Sequence, residues 1–292
     1  MKMKILYLGN WNPFVYSTEK LIKEAFEELG HEVICVDERS VNAPQILKKS
    51  KEENVDLFFF HKGTRWGFQL DQLVELLLRL TCKKVFWYFD PINNIPDREM
   101  WMQAVIPFVD KGFLTNGTWI KQHKYKNLKW LLQGCKKEPL GKKRKKYECD
   151  IAFIGSVYNI RAIFVDALKK KYGDKFKVFS DVFGKDFNDL CVSAKIIVSP
   201  KFPSNDWFWS NRIYKTMGAG GFMLHPYCEK LKKHYTAGEH YEDYQDQEEL
   251  FMKIDYYLKH EKERKAIQKA GYEKSIKDHT YTLRIKKLLK CL

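Results

Sequence analysis

Three residues of types that move protons stand at the ends of apolar runs or at a helix start. His61 closes "VDLFFFH" (55–61), Asp90 closes "KKVFWYFD" (83–90), and Glu19 lies in the first turn of the helical "TEKLIKEAFEELG" (18–30). A lone histidine is either a site residue or a structural one. Asp90 precedes Pro91, so it is either a base or the cap of a turn that Asp-Pro favours. Glu19 either reaches a site from its helix or simply complements the helix dipole. A second group combines cations and glycines. The stretch "NRIYKTMGAGGFMLHPY" (211–227) starts like a helix, ends like a buried strand, and sets Gly218, Gly220 and Gly221 at the joint. Glycine serves where φ is positive or a ligand comes close, and it also serves as a plain helix stop. Arg161, just past "GS" (155–156), is either a phosphate ligand or a surface cation.

Several chemistries are excluded by motif. The loops after the first strand of each half read "GNWNPF" and "GSVYNI", neither being Gly-x-Gly-x-x-Gly, which argues against a dinucleotide-dependent dehydrogenase. No Walker A sequence, no Gly-x-Ser-x-Gly elbow and no Asp-x-Asp pair occurs. The 292 residues carry 52 Lys and Arg against 37 Asp and Glu, a formal charge of +15 that attracts anions: nucleotides, nucleic acid or an acidic membrane. Seven cysteines without a Cys-x-x-Cys pair read as reduced thiols, and no metal site is expected. The apolar runs near the start and at "VDLFFFH" are too short for a leader or a span, so a cytoplasmic protein, of the cell or its host, is expected.

The elements that position these residues alternate between strand and helix. "KILYLG", "HEVICVD", "VDLFFFH", "KKVFWYFD", "DKGFLTN" and "LKWLLQG" read as strands of a first half. Leu21, Ile22, Ala25, Phe26 and Leu29 share one face of the first helix, with Ser17 as its N-cap and Gly30 as its stop. "KKEPLGKKRKKYE" (136–148) then reads as a basic linker. A second half follows with "CDIAFIGS", "KFKVFS" and "KIIVSP" as strands, and its last three helical segments are "EELFMKIDYYLKH", "EKERKAIQKAGYEKSIKDH" and "TYTLRIKKLLKCL". The pattern is α/β: two Rossmann-like domains facing a central cleft. Ligands of such sheets bind beyond the carboxyl ends of the strands, so the loops after Leu8, Phe60, Phe89, Ile154 and Val198 line the cleft. This places Gly9, Asn10, Asn12, Gly155 and Ser156 among the binding candidates, with Trp11, Phe14, Tyr16 and Trp66 as stacking surfaces and Trp87 as core.

The second half resembles the spore-maturation CgeB-type glycosyltransferases of the GT-B superfamily. The resemblance is carried by "DIAFIGS" with Arg161, "NRIYKTMGAGGFMLHPY", "YEDYQDQEELFMKIDYYLKHEKERKAIQKAGYE" and "HTYTLRI"; "ILYLGN", "ELGHEV", "VDLFFFH" and "VFWYFDP" extend it over the first half. It implies a GT-B-like fold: an acceptor-side domain over 1–141, a nucleotide-sugar domain over 142–274, and a helix at 275–292 packing back on the first. It implies a donor diphosphate near the start of the 211–217 helix, beside Trp209, Ser210, Asn211 and Arg212, with Gly220 at the turn. Arg212, Lys201 and Arg161 would neutralise the diphosphate without a metal. Relatives carry a glutamate for the ribose where this chain has Lys215, and a protonated lysine accepts no hydrogen bond. Lys215 therefore faces a phosphate, or the ribose is held otherwise. The activity implied is transfer of a sugar from a nucleotide-sugar to an acceptor hydroxyl, with retention and with no cofactor beyond the donor. The acceptor is a glycan, a metabolite or a modified base in nucleic acid. A degenerate protein that binds nucleotide or nucleic acid without chemistry, and a nucleotide-sugar epimerase, are the alternatives.

Overall fold

The run Leu57-Phe58-Phe59-Phe60 shows how the first sheet is built. Phe58 and Phe60 point into one apolar cluster, and Leu57 and Phe59 into another. A strand alternates its side chains, so a continuous apolar run needs cover on both faces, as in a parallel sheet. The computed structural model describes residues 2–11, 17–61, 69–158, 160–200 and 207–292. The chain divides into two units: Met1–Gln133 with Tyr281–Leu292, and Gly134–Thr280.

Unit 1 holds β1 (Lys4–Gly9), β2 (Glu32–Asp37), β3 (Leu57–Phe60), β4 (Lys83–Tyr88), β5 (Lys111–Leu114) and β6 (Leu128–Trp130). They form one sheet in the order β2-β1-β3-β4-β5-β6, parallel throughout. Its helices include α1 (Thr18–Glu28), α2 (Ala43–Glu52), α3 (Leu70–Arg79), α4 (Pro96–Val105) and α5 (Gly117–His123). The helix face expected for α1 is the buried one: Leu21, Ile22, Ala25 and Phe26. Ser17 occupies the N-cap position with extended backbone, but its hydroxyl makes no capping bond. The acidic residue of the first turn, Glu19, is left to complement the dipole there.

Unit 2 holds β7 (Cys149–Ile154), α6 (Ile160–Tyr172), β8 (Phe176–Phe179), α7 (Gly184–Ser193), β9 (Ala194–Val198), α8 (Arg212–Gly218), β10 (Met223–Pro226), β11 (Glu242–Tyr244), α9 (Gln247–Lys259) and α10 (Glu261–Asp278). Its sheet is also parallel, in the order β11-β10-β9-β7-β8. Helix α11 (Tyr281–Leu289) belongs to unit 1, where Tyr281, Ile285 and Leu288 join Ile5, Tyr7, Leu21 and Ile22 in one cluster. Ile285 and Leu288 are fully buried, each contributing about 1.5–3 kcal/mol by burial. Two parallel Rossmann-like sheets, one per unit, are the architecture expected from the strand–helix alternation.

The basic run read as a linker is part of unit 2 and is docked on α7. Asp189 is buried, and its carboxylate accepts from the Lys142 amide at 2.7 Å and from Arg144 Nε at 3.1 Å. The Arg144 amide donates to Ser193 Oγ at 2.9 Å, and Lys146 pairs with Asp186 at 3.3 Å. The alternating Asp186 and Asp189 on α7 thus absorb charges that looked solvated in sequence. The Lys142 amide holds the Asp189 carboxyl below its ordinary 3.8, against burial and with help from Arg144. A depressed carboxylate contributes stability above its unfolded value and loses it as pH falls through the folded one. Asp189→Ala is expected to lower the melting temperature at pH 7, and the difference from wild type should close below pH 3.8, where the native carboxylate also protonates. A thermal-melting series across pH checks both.

Candidate functional site

Strand order locates the site in unit 2. Counted within the unit, its strands run second, first, third, fourth, fifth, so the chain leaves β7 in one direction toward β8 and in the other toward β9. The helices that follow β7 and β9 diverge at that point and leave a crevice beyond the strands' carboxyl ends. Arg212, the first residue of α8, reaches into it. Its Nε donates to the Ile154 carbonyl at 3.2 Å, at the end of β7, and its Nη1 to Ser199 Oγ at 3.0 Å, just past β9. The guanidinium also lies 5.2 Å from the centre of the Phe153 ring.

Gly155 makes room for this side chain. Its φ is +142°, and a Cβ there would stand 3.2 Å from Arg212 Nη2. An L-residue is strained in that region, and its side chain would crowd the guanidinium. The Gly155 amide remains tied to the Phe179 carbonyl at 2.8 Å, which anchors the turn.

The electrostatics are one-sided. Among the described residues no carboxylate pairs with Arg212, whose side chain meets only neutral acceptors and an aromatic face. Burial pulls its pKa from 12.5 down to about 10, and the positive charge of Arg161 adds to the pull. Arg161 sits in the first turn of α6, donating through Nη1 to the Ser156 carbonyl at 3.2 Å and lying 4.4 Å from the Tyr158 ring centre. A cation in a first turn opposes the helix dipole, and α6 has no acidic residue there. Two guanidinia and a helix start therefore converge on one crevice, an arrangement that a bound anion relieves.

The other donor candidates divide. Ser210 and Asn211 adjoin the arginine, Ser210 Oγ accepting from the Arg212 amide at 3.3 Å and the Asn211 carbonyl from the Lys215 amide at 3.1 Å. Lys215 is half-buried in the last turn of α8. Gly220 lies apart, before the amino end of β10, where its φ of +81° and its closeness to Leu140 answer the need for glycine without a ligand. Lys201 lies outside the described residues, as do Asn12, Phe14, Tyr16 and Trp66. Trp209 is buried and bonded to Tyr214 Oη at 3.2 Å.

Unit 1 has a second cluster at the corresponding place, where its order reverses between β1 and β3. His61 follows β3 and is buried, with Nε2 3.0 Å from Glu19 Oε1 and Nδ1 3.4 Å from Tyr7 Oη. Gly9 ends β1 with no side chain, and a Cβ there would stand 3.1 Å from Glu19 Cγ. Asn10 is half-buried beside it. Both ring nitrogens of His61 are thus engaged, and the outer group is Glu19, whose side chain is 14% exposed against 7% for His61. Burial raises the Glu19 carboxyl, and the hydrogen bond and charge of His61 more than reverse this, leaving it below its ordinary 4.5. Asp90 is exposed and bonds to no described residue; its neighbour Phe89 packs on His61 at 5.4 Å between ring centres. His61 and Glu19 form a hydrogen-bonded pair, and Asp90 stands outside it.

His225 and Ser199 escaped the sequence reading. Each stands at a strand's carboxyl end in unit 2, the signal that picks out Gly155, whereas the glycines of the segment lie at the other end of β10. Among the described residues no cluster of metal-binding side chains occurs and no helix is long and apolar enough to cross a membrane.

Known proteins define the class. The profile of the glycosyl transferase-like family matches residues 144–290, half of the chain, and the chain belongs to that family. No curated protein matches it in sequence. Solved structures match over nearly its whole length. Sucrose-phosphate synthase from Thermosynechococcus elongatus aligns with a TM-score of 0.74 at 11% identity, covering 99% of this chain and 98% of that one. A glycosyltransferase from Rickettsia africae gives 0.70 at 15% identity, covering 99% and 97%. HepE of Anabaena, solved in complex with UDP-glucose, gives 0.70 at 12% identity, covering 99% and 100%. The fold is that of GT-B glycosyltransferases, and the enzyme class is glycosyltransferase.

Proposed function

We propose that unit 2 binds the diphosphate of a nucleotide-sugar in the crevice between β7 and β9, and that the enzyme transfers the sugar to an acceptor hydroxyl. The observation that carries this reading is the half-buried Arg212 guanidinium, placed beside Arg161 with no carboxylate partner among the described residues. The two arginines and the start of α6 supply positive charge where the leaving diphosphate gains negative charge, the role a metal ion plays elsewhere, so transfer proceeds without one. The acceptor oxygen attacks the anomeric carbon on the face from which the diphosphate departs, the bond from that carbon to the diphosphate oxygen breaks, and the acceptor proton passes to the Glu19 carboxylate held by His61.

The motifs around Arg161 and "NRIYKTMGAGGFMLHPY" support the CgeB-type branch, and with it retention of configuration. Unit 1 then serves the acceptor and unit 2 the donor. UDP-glucose, bound by HepE, is the first donor to try. A hydroxyl of a glycan, a metabolite or a modified DNA base fits as acceptor, and a net charge of +15 favours an anionic one. All seven cysteines are free, which suits the reducing cytoplasm. Lys215, in place of the glutamate of relatives, favours a second reading: a protein that binds nucleotide without chemistry.

A panel of UDP-, GDP- and TDP-sugars, followed with and without acceptors by release of the nucleoside diphosphate, separates these readings. Release that depends on acceptor supports transfer. Binding of a donor that no acceptor consumes supports the second reading and overturns the first.

A further inference from the structure

The carboxyl end of β10 carries a polar group that the transfer scheme leaves unused. His225 is only 4% exposed, and its Nδ1 lies 2.8 Å from the Pro226 carbonyl oxygen. A carbonyl can only accept, so Nδ1 carries the proton. Burial, joined by the charge of Arg212, draws the imidazole pKa down to about 4 against the raising effect of that hydrogen bond, so the ring is neutral at pH 7. Its Nε2 is therefore a lone-pair acceptor. Among the described residues nothing donates to it.

His225 lines a pocket of about 10 Å³ together with Ser199, Trp209, Ser210 and Tyr227. That volume takes one water-sized group. Ser210 and Tyr227 are half-buried, so the pocket reaches the surface. It adjoins the arginine as well: Ser199 Oγ accepts from Arg212 Nη1 at 3.0 Å, and the Ser210 hydroxyl accepts from the Arg212 amide at 3.3 Å. An acceptor in this pocket to which no described residue donates favours a ligand that brings an O–H to this point. Phosphate oxygens cannot serve, because they only accept.

We infer that His225 recognises the donor, its Nε2 accepting a hydrogen bond from one hydroxyl of the nucleotide-sugar while Arg212 holds the adjoining diphosphate. The inference rests on the nucleotide-sugar reading above. The hydroxyl belongs either to the ribose or to the transferred sugar, and two ligands tell them apart. His225→Asn keeps a group near Nδ1 and removes the acceptor at Nε2, whereas His225→Gln restores an acceptor there.

The experiment is calorimetric titration of UDP and UDP-glucose into wild type, His225→Asn and His225→Gln, with melting curves as a check on folding. The expected result is about 5- to 10-fold weaker binding for His225→Asn and recovery to within about 2-fold for His225→Gln. A ribose contact weakens both ligands equally; a contact to the sugar weakens UDP-glucose alone. In wild type labelled with ¹⁵N-histidine, the Nε2 resonance, identified by its loss in His225→Gln, should shift on saturation with UDP-glucose. That readout stands even if His225→Asn does not fold. Unchanged affinity in a folded His225→Asn, or an Nε2 resonance that does not move, overturns the inference while leaving the Arg212 site intact. Wild type that binds no nucleotide-sugar overturns the parent reading and this inference with it.

Discussion

Arg212→Gln is expected to weaken UDP binding about 100-fold or more. The arginine is preorganised by Ile154 and Ser199, so little side-chain entropy is lost when the diphosphate arrives. Losing one partner of a shielded, hydrogen-bonded charge pair costs about 2–5 kcal/mol, and each 1.4 kcal/mol is tenfold in affinity. Glutamine keeps some hydrogen bonding but brings no charge. Arg212→Lys should fall between, because an ammonium cannot reach both β7 and β9 and still present a fork to the phosphates. The unliganded variant should melt within a few degrees of wild type. In the empty site the guanidinium carries the burial cost that lowers its pKa, and losing that cost offsets the two lost bonds. Wild type should melt higher with UDP, and Arg212→Gln should show almost no such shift. Arg144→Gln, which removes an arginine that pairs with Asp189 on α7, is the control for general charge and should bind UDP as wild type does.

Glu19→Gln is the second large effect: transfer should slow by about 100- to 1000-fold, the range for a positioned acid–base group, with UDP affinity unchanged. On the proposed scheme His61 acts through Glu19, since both its ring nitrogens are already engaged. It is then a positioning residue, which a pH profile tests. In wild type the Glu19 carboxyl titrates below 4.5, despite burial, because His61 favours its ionised form. The ionised form is present above that folded value and is lost as pH falls through it, so the acid limb of the rate should lie below pH 4.5. In His61→Asn the pull is gone and burial remains, so the limb should move up. A merely structural pair would change the melting temperature and leave the limb in place.

The parts of the fold that were legible in sequence are those carried by periodicity. The Leu57 to Phe60 run, the α1 face and the last helix each needed only alternation or a 3.6-residue repeat. Strand β11 is three residues of mixed polarity, "EDY", and carries no such signal; only its pairing with β10 makes it a strand. The basic run from Lys142 to Lys146 reads as a linker because its partners on α7 lie 40 to 49 residues away in the chain. At the candidate site, the rule that ligands gather beyond strand ends points to Gly155, His61 and Gly9, and all three stand at carboxyl ends of strands. It could not show that Arg212 folds back to bond Ile154, since that depends on strand order. The same rule, applied to the end of β10, reaches His225, whose segment "FMLHPY" follows glycines that are the stronger signal in sequence.

A crystal structure with UDP tests the placement of the donor most directly. The diphosphate is expected beyond the carboxyl ends of β7 and β9, within hydrogen-bonding distance of Arg212, with Arg161 turned toward it. Density for UDP at the amino ends of these strands, near Gly220, or a bound UDP that leaves Arg212 touching only Ile154 and Ser199, would contradict the account.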